Sequence, residues 1–237
     1  MSHLHLHAGA SVARAMFFRP KQSPNINQPI LMNLTQDYIA QKLKESRENS
    51  DDSDGYAEIP VKPSTRLRNA AVLVPLTYVQ DEWHILFTRR TDRVQSHKGQ
   101  VSFPGGASDE GETTPEQTAL RESEEEIGMR PADVQVLGRL SQLITISSFR
   151  VTPVVGVIPF PYAFKVANIE VARVFTIPLL WLSDRNNYWE FFLRDSERSL
   201  ITYHPFDGEL LWGATARMTV TFLKTIGTLE TKDHGGF

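Results

Sequence analysis

There is no cysteine in this 237-residue chain. That excludes disulfide frameworks, zinc–thiolate sites and cysteine nucleophiles, and it fits a reducing compartment. Long apolar runs are also missing: no stretch approaches the roughly 18 residues that a membrane-spanning helix needs. An excess of one charge is lacking too, with 25 basic against 28 acidic residues and a net charge of −3. Bulk electrostatics therefore give no reason to expect a nucleic-acid or membrane partner. No internal repeat is visible. The expected location is the cytoplasm. Acidic residues are absent before Asp37, while Arg14, Arg19 and Lys21 precede it, which leaves an organelle matrix as the alternative if this extension is a transit peptide. Pro20, Pro24 and Pro29 interrupt any amphipathic helix there. His3, His5 and His7 alternate at a polar tip and are read as incidental.

What is present divides the chain into four parts: an N-terminal extension without fixed structure (1–34), a short helix and acidic linker (35–69), a main domain (70–227) and a C-terminal tail (228–237). Asn33–Glu45 is expected to form the helix, capped by Thr35, with Tyr38, Ile39 and Leu43 on one side. Ser46–Tyr56 is polar and acidic and reads as linker. Ala70–Val79 and Glu82–Arg89 read as paired strands with Asp81 near the turn. Val134–Gln142, Val151–Ile158 and Ile169–Phe175 are further strands; Pro153 argues for an edge or a bulge in the second of them. A helical turn at Pro178–Leu182, a hairpin over Tyr188–Leu193 and Ser199–His204, and a closing helix over Trp212–Thr225 follow. Trp181, Trp189 and Trp212 are assigned to packing.

The chemistry concentrates in Phe103-Pro104-Gly105-Gly106 … Glu112 … Arg121-Glu122-Ser123-Glu124-Glu125-Glu126-Ile127-Gly128. A glycine-rich loop runs into a helix with Thr114 as cap, Pro115 at the first helical position and Gln117 completing a capping box. Gly128 suits the left-handed residue that closes a helix. Glu122, Glu125 and Glu126 fall at i, i+3 and i+4 and share one face, while Ala119, Ser123 and Ile127 form a neighbouring stripe that can pack inward. Like charges on adjacent turns repel, and the negative end of the helix dipole adds to the cost. A hard divalent cation removes that conflict, since Mg²⁺ joins carboxylates to substrate phosphates.

These residues resemble the Nudix box, G-x5-E-x7-R-E-U-x-E-E-x-G-U, where U is aliphatic. Gly106, Glu112, Arg121, Glu122, Glu125, Glu126, Gly128 and Met129 fill its fixed positions. Ser123 replaces an aliphatic residue, and eight residues rather than seven separate Glu112 from Arg121. The extra residue falls at or before the Thr114 cap. Upstream, Leu86-Phe87-Thr88-Arg89-Arg90-Thr91 … His97-Lys98-Gly99-Gln100-Val101-Ser102-Phe103-Pro104-Gly105-Gly106 is similar to the motif of the coenzyme A pyrophosphatase branch, with Gln95 standing where that branch usually has arginine. The likeness to the branch covers about residues 70–223.

The resemblance implies an α/β fold, a Nudix-type α/β/α sandwich with a mixed β-sheet. It implies Mg²⁺ or Mn²⁺ held by Glu122, Glu125, Glu126 and the Gly105 carbonyl. Glu122, Glu125 and Glu170 are the candidate proton acceptors. Arg121 is assigned with the catalytic group, and its expected partner is Glu112, a structural brace for the loop. Arg89, Arg90 and His97 are candidate phosphate contacts, with a hydrogen-bonded structural role as the other reading of His97. The implied reaction is hydrolysis of coenzyme A or its acyl derivatives to 3′,5′-ADP and 4′-phosphopantetheine or its acylated form. The alternatives are another nucleoside diphosphate-X substrate (a dinucleotide, nucleoside triphosphate or ADP-sugar) and a noncatalytic nucleotide-binding module. Expected partners are thus a small nucleotide of the coenzyme A class and, left open, a second copy of the chain in a homodimer.

Overall fold

The computed structural model describes residues 34–48, 56–57, 66–93, 97–192 and 199–229. The expectations for the extension, most of the acidic linker, Gln95 and the tail from residue 230 lie outside them. Helix α1 (Gln36–Glu48) comes first, followed by strands β1 (Tyr56–Ala57), β2 (Arg68–Val79), β3 (Glu82–Arg90), β4 (Val101–Ser102) and β5 (Gly105–Ala107). Helix α2 (Pro115–Ile127) leads to β6 (Gln135–Arg139), β7 (Leu143–Ile144), β8 (Phe149–Val157) and β9 (Val171–Pro178). A short helix α3 (Leu179–Ser183), the hairpin β10 (Tyr188–Phe192) and β11 (Ser199–Tyr203), and helix α4 (Gly213–Thr225) close the described chain.

The main sheet runs β1-β7-β8-β2-β3-β4, with β5 also on β2, β6 on β8 and β9 on β3. It is mixed: β2 and β8 are parallel, whereas β2–β3 and β3–β9 are antiparallel. The β2–β3 turn is the tight two-residue kind, with Gln80 at φ 48 and Asp81 at φ 63. Alternation along the strands produces two apolar faces. Val74, Ile85, Phe87, Val155 and Ile177 join α1 and α4 in one core. Leu73 and Val154 face Ala119 of α2 on the other side, and Leu86 and Val171 face Ile127 and Met129 there. One sheet between helices on both faces is the expected α/β/α sandwich.

Two expectations are corrected. Pro153 lies neither on an edge strand nor in a bulge of its own strand. Its strand β8 is interior, paired with β2 on one side and with β6 and β7 on the other. Proline is tolerated because β6 pairs at Val154 and beyond while β7 pairs at Val151 and Arg150, so Pro153 falls in the gap between them. Its carbonyl still accepts from Leu140 N–H at 2.9 Å. The second correction concerns α1, set apart from the main domain by the sequence reading. Thr35 caps it through Tyr38 N–H as expected, but Ile39 and Leu43 are completely buried in the main core. Trp83 Nε1 of β3 donates to the Leu34 carbonyl at 2.8 Å, tying the entrance of α1 to the sheet.

Candidate active site

Helix α2 begins and ends where its sequence signals place it. The Thr114 hydroxyl accepts from Gln117 N–H, the Gln117 side chain accepts from Thr114 N–H at 3.0 Å, and Gly128 closes the helix at φ 69. Gln117 Oε1 also accepts from Thr113 N–H at 2.7 Å, which ties the residue before the cap to the first turn of the helix. Ala119, Ser123 and Ile127 are fully buried. Serine replaces an aliphatic residue at 123 without an unmet polar group, because its hydroxyl donates to the Ala119 carbonyl at 2.6 Å.

The acidic face is graded from inside to outside. Side-chain exposure is 5% at Glu126, 19% at Glu122 and 60% at Glu125. Burial is the first cause that pushes the Glu126 carboxyl up to about 7, with repulsion from Glu122 and Glu170 adding to it and Arg90 opposing it. Burial likewise raises Glu122, against the pull of Arg121 and with repulsion from Glu125 and Glu170. The glycine loop lies directly on these carboxylates. Gly105 N–H donates to Glu126 Oε2 at 3.3 Å. A Cβ on Gly106 would stand 2.4 Å from Glu122 Oε1, so only glycine lets the loop approach so closely.

Arg121 binds the acidic groups to one another. Its Nε donates to Glu112 Oε1 at 2.8 Å, Nη1 to Glu122 at 3.0 Å and Glu125 at 3.1 Å, and Nη2 to the Ala107 carbonyl at 3.0 Å. Glu112 also accepts from Thr118 Oγ1 at 2.7 Å and from Asp109 N–H at 2.8 Å. The Arg121 hydrogen bond is the leading reason its carboxyl is held down to about 2. Among the described residues no three histidine, aspartate or glutamate side chains are gathered as a ready cage for a metal ion. Glu122 and Glu125 share Arg121 instead, and Glu126 faces Arg90 Nη1 at 3.6 Å. The donor set nevertheless suits a hard divalent cation. Every donor is oxygen, and burial and crowding push the Glu122 and Glu126 carboxyls up, a penalty on their charged forms that a cation would relieve.

The strand bearing Arg89 and Arg90 separates them. Arg90 turns toward α2 and Glu126, whereas Arg89 faces the loop before α4, where its Nε stands 3.6 Å from Glu209. Glu209 is shared with Arg173, the cross-strand neighbour of Arg89. That pairing is invisible in sequence, since Arg89, Arg173 and Glu209 meet only through the β3–β9 register. His97 is exposed at a turn with φ 58, its Nδ1 2.8 Å from Gln100 Oε1. Glu170 lies before β9 rather than in it; its carbonyl accepts from Thr91 N–H at 2.8 Å, and its carboxylate stands close enough to repel Glu122 and Glu126.

Residues 67–172 match the NUDIX domain. A protein named an uncharacterized Nudix hydrolase NudL in Yersinia enterocolitica is 39% identical over 156 residues, covering 65% of this chain and 78% of that protein. Its namesake in Pectobacterium atrosepticum is 38% identical over 66% of this chain and 81% of its own. The chain belongs to the Nudix family. The Nudix match takes in the glycine loop, all of α2 and Glu170. Among solved structures, a Caenorhabditis elegans Ap4A hydrolase binary complex is 19% identical over 46% of this chain and 80% of its own, with a TM-score of 0.41. As a Nudix hydrolase this protein is a pyrophosphohydrolase that uses a divalent metal ion and takes a nucleoside diphosphate linked to a further group. Sequence reasoning missed Thr118, Asp109 and the Ala107 carbonyl as members of the Glu112–Arg121 brace. Thr118 lies one turn after the cap, and its role depends on the loop folding back over it.

Proposed function

We propose that this Nudix enzyme hydrolyses the pyrophosphate bond of coenzyme A and its acyl derivatives, with Mg²⁺ or Mn²⁺. One observation carries the reading: Arg90, from the branch-like stretch Leu86–Thr91, reaches Glu126 on the acidic helix. The stretch similar to the coenzyme A branch motif and the carboxylates of the family thus lie side by side, which supports the reading.

Glu122, Glu125, Glu126 and the Gly105 carbonyl would hold the ion. When bound, it neutralises charge on the pyrophosphate oxygens and orients the attacking water. Arg90 supplies a guanidinium at the edge of the acidic face for a phosphate oxygen, whereas Arg89, turned to the other face of the sheet beside Glu209, would meet only a part of the substrate that passes the sheet's edge. Arg121, braced by Glu112, fixes the orientation of Glu122 and Glu125. Glu122, Glu125 and Glu170 are the carboxylates in place to accept the proton from water as it adds to phosphorus and the bridging P–O bond breaks. The products are 3′,5′-ADP and 4′-phosphopantetheine or its acyl form.

The second reading, another nucleoside diphosphate-X substrate, is favoured by Gln95, which cannot offer a phosphate the charge and bidentate geometry of arginine. Incubation of the purified protein with coenzyme A and Mg²⁺, with products resolved by chromatography, tests the first reading. Equal yields of 3′,5′-ADP and 4′-phosphopantetheine are expected; intact coenzyme A would transfer the activity to the second.

A further inference from the structure

The segment between β8 and β9 is a strap across the C-terminal end of α2. The last carbonyls of a helix have no partner within it, and here the strap supplies donors: Ala167 N–H to Glu126 O at 2.8 Å and Lys165 N–H to Ile127 O at 3.0 Å. Gly128 is what permits the approach, since a Cβ there would stand 2.7 Å from Lys165 Cβ. Tyr162, Phe164 and Val166 pack on Ile127, Met129, Ile158 and Val171. Beyond this, the Tyr162 hydroxyl donates to Asp133 Oδ2 at 2.7 Å and accepts from Arg130 N–H at 3.2 Å. Arg130 in turn grips Asp133 with Nε at 2.7 Å and Nη2 at 2.9 Å.

The far end of the strap carries Glu170. Ala167 is the pivot: its N–H rests on the carbonyl of Glu126, and its own carbonyl accepts from Glu170 N–H and Val171 N–H, both at 2.9 Å. Two backbone hydrogen bonds thus connect Glu126 to Glu170. Thr91 clamps the other flank, its N–H on the Glu170 carbonyl and its hydroxyl on the Ile169 carbonyl at 2.5 Å. The backbone at Glu170, whose carboxylate is near enough to repel Glu122 and Glu126, is therefore held by how the strap sits on the helix end.

We propose that Tyr162, locked by Asp133 and Arg130, is a positioning residue that fixes Glu170 over the carboxylate face of α2. This rests on the reading that Glu170 takes part in turnover. A double-mutant cycle separates the two ideas. Tyr162→Phe keeps the ring packing and removes only the hydroxyl contacts. It is expected to lower kcat about tenfold with little change in KM, the scale on which small misplacements act. In the Glu170→Gln background the same change should cost about twofold or less, because there is no carboxylate left to misplace. Asp133→Asn should reproduce the pattern. Mn²⁺ binding by the protein alone, followed by electron paramagnetic resonance, should be unaltered in Tyr162→Phe. Full turnover in Glu170→Gln would overturn the reading of Glu170 and the proposal with it. Loss in Glu170→Gln with an equal further loss from Tyr162→Phe would overturn the positioning role alone. Weakened Mn²⁺ binding in Tyr162→Phe would do the same, since the lock would then act on the helix itself.

Discussion

Glu126 keeps a carboxylate at 5% side-chain exposure within reach of two other acidic groups, and burial pushes it up to about 7. Such a group is costly in the folded chain, and a bound cation would relieve it beyond what Arg90 and the Gly105 N–H supply. Replacing it by glutamine removes the buried charge and keeps the shape. Glu126→Gln is expected to lose turnover at least about a hundredfold while its melting temperature holds within a few degrees; steady-state kinetics and thermal unfolding check both, and near-normal turnover would place the metal elsewhere. Glu112 behaves in the opposite way. Its carboxyl is held down to about 2, first by the Arg121 hydrogen bond. A depressed folded-state value means a contribution to stability that is whole above the ordinary value near 4.5 and is lost as pH falls through that value toward 2. Denaturant unfolding of the native protein and Glu112→Gln should therefore differ most at neutral pH and converge toward pH 2; a gap that stays constant with acidification would contradict the brace.

At the scale of elements, α2 was legible almost in full. Cap, first-turn proline, inward stripe and terminal glycine are local signals, and local chemistry decides them. The β2–β3 hairpin was legible for the same reason. What escaped was non-local: the placement of Pro153 opposite a break between β6 and β7, the docking of α1 through Ile39 and Leu43, and the turning of Arg89 and Arg90 to opposite faces. Each depends on which strands become neighbours, and a period of two cannot say what lies across the sheet. The glycine loop provides a test of this scale. Gly106 has no unusual backbone angle, and its missing Cβ makes room for the Glu122 carboxylate, whereas Gly105 sits at φ 151 with Ala71 O only 2.4 Å from where a Cβ would be. Gly106→Ala should displace Glu122 and cut turnover with a modest loss of stability. Gly105→Ala should destabilise the fold by about 2 kcal/mol or more, through strain and overlap with β2. Chemical denaturation of both variants, set beside their kcat values, distinguishes them; equal stability losses would deny the separate roles.

For the whole molecule, the sheet is closed on both faces by helices, and α1 is part of that closure. Among the described residues no helix is long and apolar enough to cross a membrane. Removing residues 1–31 is expected to leave turnover intact. Extending the deletion to residue 48 also removes Ile39 and Leu43, each of which contributes about 1.5–3 kcal/mol by burial, and should leave a poorly folded protein. Circular dichroism and turnover of the two truncations check this, and a large loss of turnover in the shorter one would make the extension part of the enzyme. The structure joins the Nudix carboxylates to the branch-like strand through Arg90, and substrate choice is where that junction is tested most directly. The measurement is kcat/KM across coenzyme A, acetyl-coenzyme A, dephospho-coenzyme A, NADH, ADP-ribose and the nucleoside triphosphates, with Mg²⁺ and with Mn²⁺. The account predicts that coenzyme A or its acetyl form ranks first and releases 3′,5′-ADP; a higher kcat/KM for ADP-ribose, NADH or a triphosphate would contradict it.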